Sequence, residues 1–270
     1  MSYFEYATGA GLSAVVERFW SFESASTAIE RIAPDGRCEL IIHLGEPYLE
    51  LHGAQARVQP PALLAGQLTE PLMLRGQGRS SVLSARLAPA AAAMLLHGDA
   101  RQATNRRLSL LALDPQGAAP LLQALAPAQA MESRVARLAS YIGHRCLAAP
   151  LGLDAVVERA LIAIETEPAP PLAVLAGQLG LSLRQLERRF AHAVGLTPRQ
   201  HLGIVRFRRI FDALDAGASS FSAAAQSAGY SDHPQMAREF RRYLGCTASQ
   251  FIAQRAHLAA AMTGAAGMSH

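Results

Sequence analysis

The spacing of apolar and polar positions changes about a third of the way along the chain. Val15-Val-Glu-Arg-Phe-Trp-Ser-Phe22 alternates imperfectly, and Cys38-Glu-Leu-Ile-Ile-His-Leu44 is a short apolar run between the turn signals Pro34-Asp-Gly36 and Gly45-Glu-Pro47. Leu63-Leu-Ala-Gly66 and Ser81-Val-Leu-Ser-Ala-Arg-Leu87 read as further strands. Residues 1–115 are therefore expected to form a β-rich domain, a small antiparallel barrel or sandwich. From Pro89 the period becomes helical. Pro89 to His97, ending before Gly98, reads as a short helix. Residues 116–167 carry helical spacing at Val135, Leu138, Ile142, Val156, Ala160 and Ile164, which predicts a helical linker or dimerisation segment. Glu167-Pro-Ala-Pro-Pro171 then interrupts the helical pattern. Residues 168–258 are predicted all-helical, and 259–270 form a small-residue tail. The fold class expected is α+β and multidomain.

The last third contains one pattern written twice. Leu172–Phe190 and Phe221–Phe240 each read as a short helix, a Gly-bearing turn, a cap and a second helix. Ala176 and Gly180 return as Ala225 and Gly229 at an offset of 49. Ser182, Leu186, Phe190, Gly195 and Thr197 return as Asp232, Met236, Phe240, Gly245 and Thr247 at an offset of 50. The second copy thus has one extra residue in its turn. A repeat of this kind decides the fold, and here it spells two helix-turn-helix motifs.

Within each copy the side chains divide into two faces. Leu172, Leu175 and Leu179, then Leu183, Leu186, Phe190 and Val194, fall on the inward stripe. Ser182 and Gln185 fit a capping box, and Asp232 and Gln235 occupy the matching positions. Pro234 falls in the first helical turn, where its missing N–H costs little. The residues left for an outer, DNA-facing surface are Ser182, Arg184, Gln185, Glu187, Arg188 and Arg189 in the first copy. In the second they are Asp232, His233, Gln235, Arg238, Arg241 and Arg242. Arginine can grip guanine O6 and N7 with two hydrogen bonds, and glutamine can do the same for adenine. Further arginines and helix N-termini hold phosphates. Thr197-Pro-Arg-Gln200 opens a third helix running through Val205, Phe207, Ile210, Phe211 and Leu214 to Gly217. At 1.5 Å per residue it is a rod of roughly 28 Å, close to one turn of duplex. Arg206, Arg208 and Arg209 lie on it.

Charge follows the repeat. The 270-residue chain carries +4, with 25 basic residues that are all arginine. Residues 172–258 hold 11 Arg against 5 acidic residues, whereas the rest holds 14 against 16. A basic segment of this kind fits a phosphate-rich partner. The start, Met1-Ser-Tyr-Phe-Glu-Tyr6, lacks the basic and apolar regions of a signal peptide, and no apolar run approaches the roughly 20 residues that span a bilayer. The expectation is a cytoplasmic protein without a membrane partner. Cys38, Cys146 and Cys246 are scattered and odd in number, which fits reduced thiols better than a disulfide framework or a zinc site.

These segments resemble the AraC/XylS family of bacterial transcription regulators. The double repeat, Gly195-Leu-Thr-Pro198, Gly229-Tyr-Ser-Asp232, Arg238-Glu-Phe-Arg-Arg242 and Gly245-Cys-Thr-Ala-Ser-Gln-Phe251 carry the likeness, with Ala248 standing where the family usually has proline. The resemblance covers residues 172–255. It implies a monomeric, bipartite DNA-binding domain acting on double-stranded promoter DNA and recruiting or blocking RNA polymerase. It also implies a cupin-like N-terminal domain, which fits the β-rich reading, and a small-molecule effector of unknown identity. The chain is expected to be a monomer or homodimer, not an enzyme, and to need no cofactor or metal. Pro34–Pro47 and Leu64-Ala-Gly-Gln67 resemble a poorly characterised N-terminal domain found in a subset of these regulators.

Two other readings come from different classes. A metal-binding cupin-type enzyme would draw on His43, Glu46 and His52, but the His-x-His pair such a site wants is missing. A non-specific nucleic-acid interaction protein would keep the charge and lose the sequence preference. Trp20, Phe22, His43, Tyr48 and Arg86 come from segments that could line a barrel.

Overall fold

The structure is a computed structural model describing residues 2–125, 130–149, 152–218, 220–230 and 232–251, apart from the His233 side chain. The tail expected at 259–270 lies outside these residues. The chain divides into two compact units, Met1–Val205 and a second beginning at Arg206.

The first unit opens with strands β1 (Ser2–Tyr6), β2 (Val16–Ser24), β3 (Ile29–Ile32), β4 (Cys38–His43), β5 (Leu49–His52), β6 (Gln55–Val58), β7 (Ala62–Ala65), β8 (Leu72–Arg75) and β9 (Ser80–Leu87). A tenth, β10 (Arg107–Ser109), follows helix α1 (Ala91–Leu95) and a 3₁₀ turn, Ala100–Ala103. The strands form two antiparallel sheets, one in the order β1-β2-β9-β4-β7-β10 and the other β3-β8-β5-β6. Two sheets, rather than one closed barrel, are therefore observed. The apolar runs legible in the sequence lie in the six-stranded sheet, where Val16, Phe19, Leu40, Ile42, Leu64, Leu83 and Leu87 are buried. The imperfect alternation of β2 has a cause. Its register against β9 shifts between Val16 and Arg18, so the inward phase resumes one residue late at Phe19 and Ser21.

Helices α2 (Leu110–Leu113), α3 (Pro115–Leu125) and α4 (Met131–Ala148) come next. Much of segment 116–167, expected as a helical linker or dimerisation segment, packs onto the sheet. Ala118, Leu121 and Leu125 of α3 and Val135, Leu138, Tyr141 and Ile142 of α4 join Leu40, Leu64 and Leu83 in one buried cluster. Their apolar stripes need a partner, and the sheet supplies it. Helix α5 (Ala155–Glu165) follows, capped by Asp154, which accepts the N–H groups of Val156 and Val157 at 3.0 and 3.2 Å. The first unit also contains α6 (Leu172–Gln178) and α7 (Leu183–Val194). Helix α8 (Pro198–Asp215) begins in it and runs on past Val205. The boundary expected near 168 is thus not where the compact units divide.

In the second unit, α9 (Phe221–Ser227) and α10 (His233–Leu244) pack with the later part of α8 around aromatic rings. Phe207 lies 5.0 Å from Phe240 and 5.1 Å from Tyr243, centroid to centroid, and Phe221 lies 5.2 Å from Phe240. Edge-on packing of this kind adds to plain burial.

Candidate DNA-binding surface

Helix α7 is built by its ends. Gly180 takes φ +69° in the turn after α6, a region that L side chains avoid. Ser182 then caps α7: its hydroxyl accepts the Gln185 N–H at 3.3 Å, and the Gln185 amide oxygen accepts the Ser182 N–H at 2.8 Å. The predicted capping box is formed. Leu186, Phe190, Ala193 and Val194 are buried. Leu183, expected on the inward stripe, is 39% exposed.

The second copy starts differently. Ser220 caps α9 at 3.1 Å, and Asp232 caps α10 by accepting the Gln235 N–H at 3.3 Å. The Gln235 side chain does not complete the box. With its amide oxygen turned to Arg206, it accepts from the guanidinium at 2.6 and 3.1 Å. Arg206 also pairs with Glu239, and the Tyr230 hydroxyl donates to the same carboxylate. The guanidinium lies over the Tyr230 ring at 4.7 Å. Burial, then the bond to Glu239, pushes the Tyr230 phenol up, so it remains a donor. This four-residue network was not visible in the sequence.

The outward arginines fall into groups. Arg184, Arg188, Arg238 and Arg241 are exposed and have no ion-pair partner among the described residues. Arg188 does not pair with Glu187, and Arg238 does not pair with Glu239, whose carboxylate pairs with Arg206. Arg242 is exposed and stacks over Tyr243 at 5.5 Å. Arg189 instead reaches back to Asp154 at 2.9 and 3.0 Å. Glu187 is half-buried. His233 begins α10, and its side chain lies outside the described residues.

Both copies end alike. Gly195 and Gly245 close α7 and α10 with φ +85° and +66°. Thr197 and Gln200 form the box that opens α8, and Thr247 and Gln250 repeat it at the start of the next helix, at 2.9 and 3.2 Å in each case. Alanine at 248 leaves that helix start intact.

Residues 175–254 match a helix-turn-helix domain family, and residues 4–109 match a domain family of unknown function, DUF6597. The chain carries a helix-turn-helix domain at residues 175–254. A domain of this kind supports DNA binding. Among solved structures, ToxT from Vibrio cholerae aligns at a TM-score of 0.48 and 10% identity, over 86% of this chain and 96% of that one. A ToxT structure with bound unsaturated fatty acid aligns at 0.45 and 10%, over 86% and 92%. The AraC-like transcriptional activator CuxR aligns at 0.27 and 17%, over 77% and 78%. No curated protein matches the chain.

The other candidate centres are not assembled. His43 is buried and bonds to Gln59 at 3.1 Å, while His52 bonds to Glu50 at 3.3 Å and Glu46 is exposed. Among the described residues no group of His, Cys, Asp and Glu could hold a metal ion, and no helix is long and apolar enough to cross a membrane. Trp20 and Arg86 both donate to Glu39, at 3.0 Å each. Cys38 is a buried free thiol, Cys246 is buried and Cys146 is half-buried, with burial pushing Cys38 up to about 12.

Proposed function

We propose that this protein is an AraC-type transcription regulator that reads DNA by base sequence through α7 and α10, each entering one of two successive major-groove segments of a promoter. The observation that carries this reading is the repeated design. Two capped helices, each locked by an inward phenylalanine, both present arginines with no ion-pair partner among the described residues. In this proposal Arg184, Arg188, Arg238 and Arg241 are base or phosphate contacts. Ser182 and Asp232 present helix N-termini, Gln185 and Arg242 flank them, and His233 joins the second set. Arg189 and Gln235 serve mainly to hold the helices, and Glu187 stays with the first DNA-facing set. Control by a small molecule at the N-terminal domain, contact with RNA polymerase and a cytoplasmic location belong to the same proposal.

Selection from a random DNA pool with the full chain tests it. The expected product is a bipartite site of about two helical turns. Arg188→Ala should relax one half and Arg238→Ala the other. Equal losses that ignore sequence, from both substitutions, would overturn base reading.

A further inference from the structure

The 3₁₀ turn Ala100–Ala103 carries no motif, yet it stands beside the outer face of α7. Asp99 caps the turn by accepting the Arg101 N–H at 2.9 Å. The turn meets the far end of α7 through backbone. A Cβ on Gly195 would lie 2.9 Å from both the Ala100 carbonyl and the Thr104 hydroxyl, and that hydroxyl donates to the Gly195 carbonyl at 2.7 Å. From this anchor Arg101 reaches into a cleft of about 630 Å³ whose other walls are Ser182, Arg184, Gln185, Glu187 and Arg188.

Arg101 is held in place. Its Nε donates to the two Asp99 oxygens at 2.9 and 2.8 Å, and Nη2 also bonds to Asp99. Nη1 has no hydrogen bond among the described residues, and the side chain is 58% exposed. The guanidinium is therefore oriented by one fork, and one edge remains available.

A helix lying in a major groove roughly 12 Å wide has a phosphate strand along each flank. A wall of protein fixed beside the helix's outer face stands where one of those strands must run. Arginine is suited to phosphate because its planar donors match the oxygens. We propose that Arg101 is a phosphate contact of the first half-site, supplied from outside the helix-turn-helix domain, with duplex DNA as the partner. Asp99 orients it. The proposal rests on the reading that α7 sits on DNA. Contacts of this kind hold register and carry no base information themselves.

The test uses the full chain, duplexes selected from a random pool, and scrambled duplexes of equal length, with binding measured across salt concentrations. Arg101→Ala should weaken both duplex types about tenfold and equally. It should also make the log–log salt dependence shallower by about 0.9, which is about a threefold smaller loss between 50 and 200 mM salt. Arg101→Lys should keep the slope, and Arg101→Gln replaces the alanine variant if that one loses its fold. Arg188→Ala runs alongside and should change the base preference. If Arg101→Ala matches wild type in affinity and slope while Arg188→Ala loses preference, the Arg101 contact is overturned and DNA reading by α7 stands. If neither substitution alters binding, α7 is not on DNA and both readings fall. Tighter binding by Arg101→Ala would show that the wall obstructs the duplex, and also overturns the proposal. Inorganic phosphate titrated into the free chain separates the remaining case. Saturable, Arg101-dependent phosphate binding with unchanged DNA affinity would mark a small-anion cleft instead.

Discussion

Arg189 of α7 and Asp154 at the start of α5 are joined by two hydrogen bonds, at 2.9 and 3.0 Å, while the same carboxylate caps α5. One aspartate thus serves a helix end and a neighbouring helix. Asp154→Ala removes both functions. The cap alone contributes about 1 kcal/mol, and the half-exposed pair adds less. Chemical denaturation of the full chain should show a loss of about 1–2 kcal/mol, with Arg189→Ala costing clearly less. An equal cost for the two variants would mean that the cap carries little.

Glu239 is the acceptor for Arg206 and for the Tyr230 hydroxyl. Glu239→Ala leaves a largely covered guanidinium without its counter-charge, with only the neutral Gln235 oxygen still accepting from it, and a phenol without its acceptor, so a loss of about 3 kcal/mol is expected. Tyr230→Phe should cost about 1 kcal/mol. Adding Arg206→Met to Glu239→Ala should recover part of the loss, since no uncompensated charge remains. A double variant less stable than Glu239→Ala would contradict that account.

The two glycines that flank the α7 motif should tolerate alanine unequally. At Gly180 a Cβ meets nothing within 4 Å, so only the positive φ is strained, at about 1 kcal/mol. At Gly195 the same strain is joined by a close approach to Ala100 and Thr104. Thermal unfolding should show Gly195→Ala as the more damaging substitution, and equal shifts would argue against the tight backbone contact.

Acid should destabilise the first unit through two named groups. Burial would raise the Glu165 carboxyl, but the hydrogen bond from His201 at 3.3 Å and the Arg37 guanidinium at 2.9 Å hold it down to about 2. Its contribution is therefore full above the ordinary value of 4.5 and is lost as pH falls from there towards 2. Burial lowers His43 to about 4, against a smaller opposing effect of Gln59. The unfolded chain takes up that proton near 6.5, so stability declines as pH falls from 6.5 to 4. Unfolding measured across this range should show a shallower lower slope in Glu165→Gln and a shallower upper slope in His43→Gln. Unchanged slopes would remove these residues from the acid response.

Leu183 opens α7 on its exposed side, where residues of a recognition helix meet base edges. An apolar side chain there can contact a thymine methyl. Leu183→Ser should lower a thymine preference in one half-site by several-fold in DNA selection, leaving the other half unchanged. Loss in both halves would point to a folding defect instead.

The chain's own spacing was enough to locate the capped helices. Ser182, Thr197 and Thr247 each precede a glutamine by three residues, and every one of those boxes forms. Local hydrogen bonding of this sort needs only neighbours in sequence. The buried phenylalanines and the central strands β4, β7 and β9 were equally legible, since continuous apolar runs have few other fates. The short edge strands β1, β3 and β6 were not, because half-exposed strands lack a strong alternation.

What sequence alone determined is therefore the set of local structures: helix starts and stops, the duplicated motif, the inward aromatic anchors and the basic outer faces. Tertiary structure decided which outward groups remain available. It turned Gln235 inward to Arg206, tied Arg189 to Asp154, exposed Leu183, and brought Arg101 beside a helix more than eighty positions away. Such pairings depend on how distant segments approach one another. Helical period and capping rules describe only a residue's nearest turns, so they carry no information about those encounters.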